Sequence, residues 1–545
     1  MVDFEALTPE QRAVVDSDAP ISLVLGGAGV GKTTTALWAA RRHLTDDPSF
    51  GRRSATRRTL FVTFSRTAVS QIQGRSTGVV DGLGDRIEIL TFHGLAYRIV
   101  RSFGRFAGLG ADATLQGAAR GRLLGSPASV TELTYGQLLP IALDLMQTPG
   151  PIADVLGSRW SFVICDEFQD TGDEQWELLT LLKESARLLL LADPNQMIFG
   201  FLPGVSDSRL DAARMVPGCT EIVLPLASHR DPSQILPSAA SEIRWRRFGS
   251  DEVAQAVADG RIIVRRDVPD DDGARAHVIA HEIEHLRQSG HESFGVFAKT
   301  NNDAVGLSVA LTKTGVPHVP IGFAESYGES LGALMAITDH ALGYGSWEDA
   351  RTALAVAITA SDRTFKQQPP PLASAIHRGD SVSPGFDRVL AAFQQAVLEV
   401  DGDFGKAVEV ASSTWTALSL AAGARAWDRA ARSFQAMAQR ATLLGGTSLE
   451  RLRLQVDQAR TASFIELDGG DSGQTQLMNF SQTKGREADG VLLSYRSDDY
   501  FGNGGEPFDE PSRLLYVSLT RARRTAVVLL PTDPHPLVRP MLQYA

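Results

Sequence analysis

Residues 21–44 read ISLVLGGAGVGKTTTALWAARRHL. An apolar, β-prone run ends in glycines, and a stretch with helical spacing follows at once. Gly26, Gly29 and Gly31 let backbone N–H groups wrap phosphate oxygens. Lys32 reaches the β- and γ-oxygens, and the Thr33 hydroxyl, with Thr34 behind it, suits Mg2+. A glycine-rich turn that binds nothing is the plainer alternative, but chance yields this string in only about one in a hundred chains of such composition. The strand, loop and helix context narrows the odds further.

Outward from this loop, short β-rich runs recur and lead into polar or glycine-rich residues: TLFVTF at 59, RIEILTF at 86, FVICDE at 162, LLLLAD at 188 and EIVLPL at 221. RIIV at 261, FGVFA at 294, GVLLSY at 490 and TAVVLL at 525 continue the series. Such runs between helix-like segments predict parallel sheets covered on both faces, with ligands beyond the carboxyl ends of the strands. The fold class expected is α/β. Between Phe323 and Gly470 the chain turns alanine-rich with helical spacing, which predicts a helical insertion. The stretch QQPPPLASAIHRGDSVSPG at 367–385 reads as an exposed loop inside it.

Asp166 and Glu167 follow the run FVIC. Two adjacent carboxylates rarely share one task, so Asp166 suits Mg2+ and Glu167 suits positioning and deprotonating an attacking water. Charge developing on a transferred phosphoryl group also calls for arginines from elsewhere. Arg230, after a strand, and Arg521, in what reads as an amphipathic helix, are the candidates.

Net charge is −11, which disfavours nucleic acid until its distribution is considered. With only seven lysines, 46 of the 53 basic residues are arginine. Eight arginines fall between Arg41 and Arg75 against Asp46 and Asp47, and five between Arg98 and Arg122 against Asp112. A locally positive channel on an acidic body is compatible with the total. No apolar run reaches the ~20 residues of a membrane span, and the acidic start MVDFEALTPEQ is unlike a signal peptide, so a cytoplasmic protein is expected. Cys165 and Cys219 fit neither a disulfide framework nor a zinc site.

In order, LTPEQRAVV, GGAGVGKTT, TLFVTFSRTAVSQI, TFHGLA, VICDEFQDT, LLADPNQMIFGF, LPLASHRDPSQIL, FSQTKGREADGVLL and LLYVSLTRAR resemble the motif series of the UvrD/Rep/PcrA branch of superfamily 1 helicases. The resemblance runs from Leu7 to nearly the end of the chain. It implies two RecA-like parallel-sheet P-loop domains with ATP between them and inserted helical subdomains. Gln11 would read the adenine edge, Gln196 would couple the γ-phosphate to DNA, and Arg230 and Arg521 would be fingers on that phosphate. Glu487 would touch the nucleotide or its ribose. Phe64, Phe201, and Phe92 or His93 fall where the family contacts the strand, where stacking grips any base.

Four positions depart from the family pattern: Phe201 for tryptophan, His229 for the tyrosine before the arginine, Ser481 for histidine and Arg486 for leucine. The expected organisation is a first RecA-like domain over 1–95 and 160–218 with a helical insertion at 96–159. A second follows over 219–322 and 471–545, with a shortened helical insertion at 323–470. The function implied is ATP-dependent translocation on single-stranded DNA, or on DNA with a single-stranded tail, with 3′→5′ polarity. The rival reading is a DNA-stimulated ATPase subunit that acts as a switch beside a protein partner in a repair or phage-defence complex. The twenty or so residues after the last motif are too few for a fused nuclease, and a small-molecule kinase would not explain the strand-side motifs.

Overall fold

The computed structural model describes residues 4–46, 57–64, 66–76, 78–80, 82–110, 114–124, 132–148, 150–200, 202, 204–226, 228–321, 324–361, 368–422, 427–443, 447–465, 475–501 and 505–545. It is mixed α/β with parallel sheets. In chain order the strands are β1 (Ile21–Leu25), β2 (Thr59–Thr63), β3 (Ile87–Thr91), β4 (Thr114–Gln116), β5 (Glu132–Thr134), β6 (Phe162–Asp166) and β7 (Arg187–Ala192). They continue as β8 (Cys219–Val223), β9 (Ile262–Arg265), β10 (Phe294–Ala298), β11 (His318–Pro320), β12 (Thr475–Asn479), β13 (Ala488–Ser494) and β14 (Ala522–Leu529). All ten runs picked out in the sequence are strands. β4, β5, β11 and β12 went unread because TLQ, ELT, HVP and TQLMN lack the length or aliphatic density on which a pattern depends.

The chain forms two compact units. The first comprises Met1–Phe103, Leu139–Gly322 and Gly469–Ala545 and holds two six-stranded sheets. Their orders are β3-β2-β6-β7-β1-β8 and β11-β12-β10-β13-β14-β9. Every pairing is parallel. Central strands buried on both faces, such as Thr59–Thr63 and Phe162–Asp166, explain the continuous apolar runs. Register brings the carboxyl ends level: Thr63 pairs with Thr91 and Asp166, and Leu25 with Ala192. One rim of the first sheet therefore gathers the residues that follow β1, β2, β3, β6 and β7, as expected for ligand sites in parallel sheets.

The second unit comprises Gly104–Leu138 and Phe323–Asp468. Its helices include Ala324–Ala341, Trp347–Ser361, Phe404–Ala422, Trp427–Leu443 and Ser448–Ile465. They close over a core in which Trp415, Phe386, Phe393 and Phe434 are almost fully buried. The short pair β4–β5 also belongs to this unit. The proline-rich stretch is not simply an exposed loop. Pro371–Arg378 is a helix, because Pro371 at its first position costs no hydrogen bond and Ala373 and Ile376 turn inward to the core.

Candidate functional site

The loop after β1 is shaped by two glycines. Gly29 has φ +78° and Gly31 has φ +85°, in the left-handed region. A Cβ on Gly29 would stand 2.2 Å from the Ser228 hydroxyl, and one on Gly31 would stand 3.0 Å from the Gln11 amide and 3.1 Å from the His229 ring. Both positions need glycine for space as well as for conformation. Helix Lys32–Thr45 starts at once, so the last loop amides open toward the cleft at a positive helix end. The Lys32 ammonium donates to the carbonyls of Gly26 and Gly27 at 2.7 and 2.9 Å.

Gln11 is held by a capping box. Its backbone N–H donates to the Thr8 hydroxyl, its amide oxygen accepts from the Thr8 N–H at 3.0 Å, and its NH2 donates to Val30 O at 3.1 Å. Its side chain is thereby fixed against the phosphate loop.

At the end of β6 the Thr33 hydroxyl donates to Asp166 at 2.9 Å. Burial first, then the neighbouring Glu167 carboxylate, pushes Asp166 up to about 6. Glu167 stands in the left-handed region at φ +57°, a strained backbone conformation for a non-glycine residue that clusters at functional sites. Burial alone would raise its pKa, but the Lys484 and Lys32 ammonium groups and the Gln169 amide hold it down to about 2. Two adjacent carboxyls are thus driven apart, one toward a shared proton or cation and the other toward a permanent charge.

Residues carried by the second sheet, together with Arg230 from the loop after β8 of the first, meet at this rim. Lys484 pairs with the fully buried Asp170, lies 3.4 Å from Glu167 and donates to Gln196 O at 2.9 Å. Those carboxylates keep it cationic above the usual lysine range, although burial acts the other way. Arg521 donates to the Gln196 side chain at 2.7 Å, and Gln196 in turn donates to Asp193 at 2.9 Å. Burial and the Arg230 guanidinium bring Arg521 down to about 10, which still leaves it charged at neutral pH. Arg230 pairs with Glu487 at 2.6 Å and also donates to Thr520 O. Tyr516 accepts from the Ala28 N–H at 3.1 Å and donates to Asp193 at 3.4 Å. Arg521 lies just past helix Asp509–Leu519 rather than on it, because the helix stops at Leu519 and β14 begins at Ala522.

A cavity of about 410 Å3 is lined by Gln11, Lys32, Thr33, Asp166, Glu167 and Gln196 from one side and by Arg230, Glu487, Arg521 and Arg523 from the other. Gly29, Gly31, Thr34 and His229 complete its wall, and Gly26 sits behind it under Lys32. Of the strand-side candidates, Phe64 is half-buried with its ring 4.9 Å from Phe199. Phe92 is closed off at 1% exposure, whereas His93 is half-buried. Phe201 lies outside the described residues.

A model of the UvrD/REP helicase N-terminal domain matches residues 7–124 and 126–214. Over these residues, and in the relatives that follow, the chain is similar to UvrD/Rep/PcrA-like helicases. It is 25% identical over 400 residues to "ATP-dependent DNA helicase UvrD1" of Mycobacterium leprae, covering 58% of this chain and 50% of that protein. It is 22% identical over 390 residues to "ATP-dependent DNA helicase PcrA" of Leuconostoc citreum, covering 58% and 50%. A shorter match, 38% identical over 77 residues, reaches "RecBCD enzyme subunit RecB" of Mycobacterium tuberculosis, covering 14% and 7%. The chain spans about half the length of the first two relatives it matches.

Within this UvrD/Rep/PcrA-like frame, Gln169, Asp170, Asp193, Lys484, Tyr516 and Arg523 were not singled out in the sequence. All lie inside the motif strings, but the pairing of Lys484 with Asp170 and of Tyr516 with Asp193 across the two sheets leaves no trace in spacing along the chain. Among the described residues, no helix is long and apolar enough to cross a membrane.

Proposed function

We propose that the chain is an ATP-hydrolysing motor that moves along single-stranded DNA, built on two RecA-like domains with inserted helical subdomains. The observation that carries this reading is the shared cavity in which a phosphate loop and two carboxylates meet Arg521, just before the second sheet's β14, and Arg230, which follows β8 of the first sheet and pairs with Glu487 on the second. A nucleotide held there touches both halves, so binding favours closure and loss of the γ-phosphate favours opening.

Lys32 and the loop amides would hold the β- and γ-phosphates, with Gln11 and His229 at the base and Glu487 at the ribose. Thr33 and Asp166 offer hydroxyl and carboxylate oxygens 2.9 Å apart, the hard donors that Mg2+ takes alongside phosphate and water. Among the described residues, the hydrogen bonds to the Asp166 carboxylate come only from Thr33 and the Glu167 N–H, so a cation fits its buried charge. When bound, Mg2+ would neutralise phosphate charge. Glu167, kept ionised, would orient a water and take its proton, while Arg230 and Arg521 meet the charge that develops on the phosphoryl oxygens.

Coupling to the strand has a short route. Lys484 lies 3.4 Å from Glu167 and 5.7 Å from the Phe199 ring, which packs on Phe64. A base stacking at Phe64 would shift the ring pair that backs the lysine. The direct test is ATP turnover with single-stranded DNA, duplex and RNA at matched nucleotide concentration. Stimulation by single-stranded DNA above duplex is expected, and equal rates with no polymer would refute the reading.

A further inference from the structure

The amino-terminal rim of the first sheet lies opposite the nucleotide rim. Register sets the starts of β2, β3 and β6 side by side, with Thr59 paired to both Ile87 and Phe162. Arg58 precedes β2, Arg159 precedes β6, and Glu88 is the second residue of β3. The Glu88 side chain, 12% exposed, accepts from Arg98 at 3.1 Å and from two nitrogens of Arg159 at 2.9 and 3.2 Å, with Arg58 at 3.9 Å. The three arginine side chains stay about half exposed, and Arg159 lies over the buried Trp160 ring at 5.2 Å. Exposed Arg101 follows Arg98 by three residues on helix Phe92–Phe103.

One carboxylate has about four acceptor sites, whereas the three guanidinium groups around it carry about fifteen N–H donors. Exposed ion pairs contribute little to stability, so the fold gives little reason to gather like charges here. What the arrangement does is hold several cations in fixed orientation with donors to spare. His93, Tyr97 and Arg101 also recur every four residues and form one stripe along that helix, from the strand-contact rim toward the arginine rim. Eight residues at 1.5 Å rise carry the stripe about 12 Å. At ~3.4 Å per nucleotide that distance is about four nucleotides.

We propose that this stripe and the arginines on Glu88 form a second contact for the sugar–phosphate backbone of nucleic acid, taken up by the strand after it leaves the motor track. Two aromatic rings and a guanidinium along one line, leading to the arginines on Glu88, suit bases and phosphates better than they suit an acidic protein segment. The inference rests on the motor reading for the position of the track.

The test compares wild type with the R98A/R101A double variant and with E88Q, measuring DNA affinity without ATP across a salt series. The probes are oligothymidylates of about 8 and about 20 nucleotides, the shorter one covering the track alone. For the longer probe, R98A/R101A is expected to bind about tenfold more weakly at low salt and to lose about 1.4 from the slope of log affinity against log salt. The shorter probe should bind as in wild type, and E88Q should bind the longer probe at least as well as wild type. An unchanged slope on the longer probe, or equal loss on both probes, overturns the proposal, as does R98A/R101A losing affinity for polyglutamate but not for DNA. DNA that binds in this pattern yet never stimulates ATP turnover would instead refute the motor reading alone.

Discussion

Replacing Lys484 by methionine tests whether the two sheets are held together through the nucleotide site. The ammonium is 4% exposed, pairs with Asp170, which is fully buried, and donates to Gln196 O at 2.9 Å. One oxygen of Asp170 already has no hydrogen-bond partner, so removing the lysine leaves a buried charge almost unanswered. Breaking a buried pair from one side costs about 3–5 kcal/mol, whereas removing both charges costs far less. K484M should therefore lower the melting temperature by about 3–7 °C, the entropy of unfolding so large a unit being high. Asp170→Asn alone should lose about 2–3 kcal/mol, and D170N/K484M should recover most of the loss, with an interaction energy of about 2–4 kcal/mol. Urea unfolding of the four proteins measures the cycle. Single effects that simply add would refute the reasoning, since the pair would then hold nothing across the cleft.

Glu167→Gln should leave nucleotide affinity close to wild type while slowing phosphate release by about 10²–10⁴-fold, seen by pairing a binding assay with single-turnover hydrolysis. Arg230→Ala should lower kcat by about 10³-fold or more with a smaller change in KM, because a finger acts mainly in the transition state. Tyr516→Phe removes the acceptor of the Ala28 N–H and a donor to Asp193, so the protein should lose about 1–3 kcal/mol of stability in urea. Asp499 gives a pH test: burial pushes its carboxyl up to about 6, above its unfolded value, so its contribution to stability is full below about pH 4 and lost as pH rises through 6. Asp499→Asn should then be more stable than wild type by up to about 3 kcal/mol at pH 7.5, with the two melting temperatures converging near pH 4.

The first sheet and its phosphate loop were legible in the sequence because each central strand is buried on both faces. ISLVL, TLFVT and FVICD are therefore apolar throughout and end where the polar residues must stand. Lys32, Thr33, Asp166 and Glu167 could be read from local order, since each follows its strand at once. The partners that set their chemistry could not. Glu167 is held ionised by Lys484, which is distant along the chain and brought near only by the packing of one sheet's rim on the other's. The proline-rich helix Pro371–Arg378 was hidden for a different reason, as PPP signals a loop until Ala373 and Ile376 find a core. Phe92 and His93, equivalent on the page, were separated only by burial.

The decisive measurement is energy transfer between a dye on the first-sheet half and one on the second, followed in the E167Q background as ATP is added. Transfer should rise on ATP binding, persist because the nucleotide is not cleaved, and fail to rise when Arg230 and Arg521 are both replaced by alanine. Transfer that ignores ATP, or that rises equally without the two arginines, would contradict a cleft that senses its nucleotide from both sides.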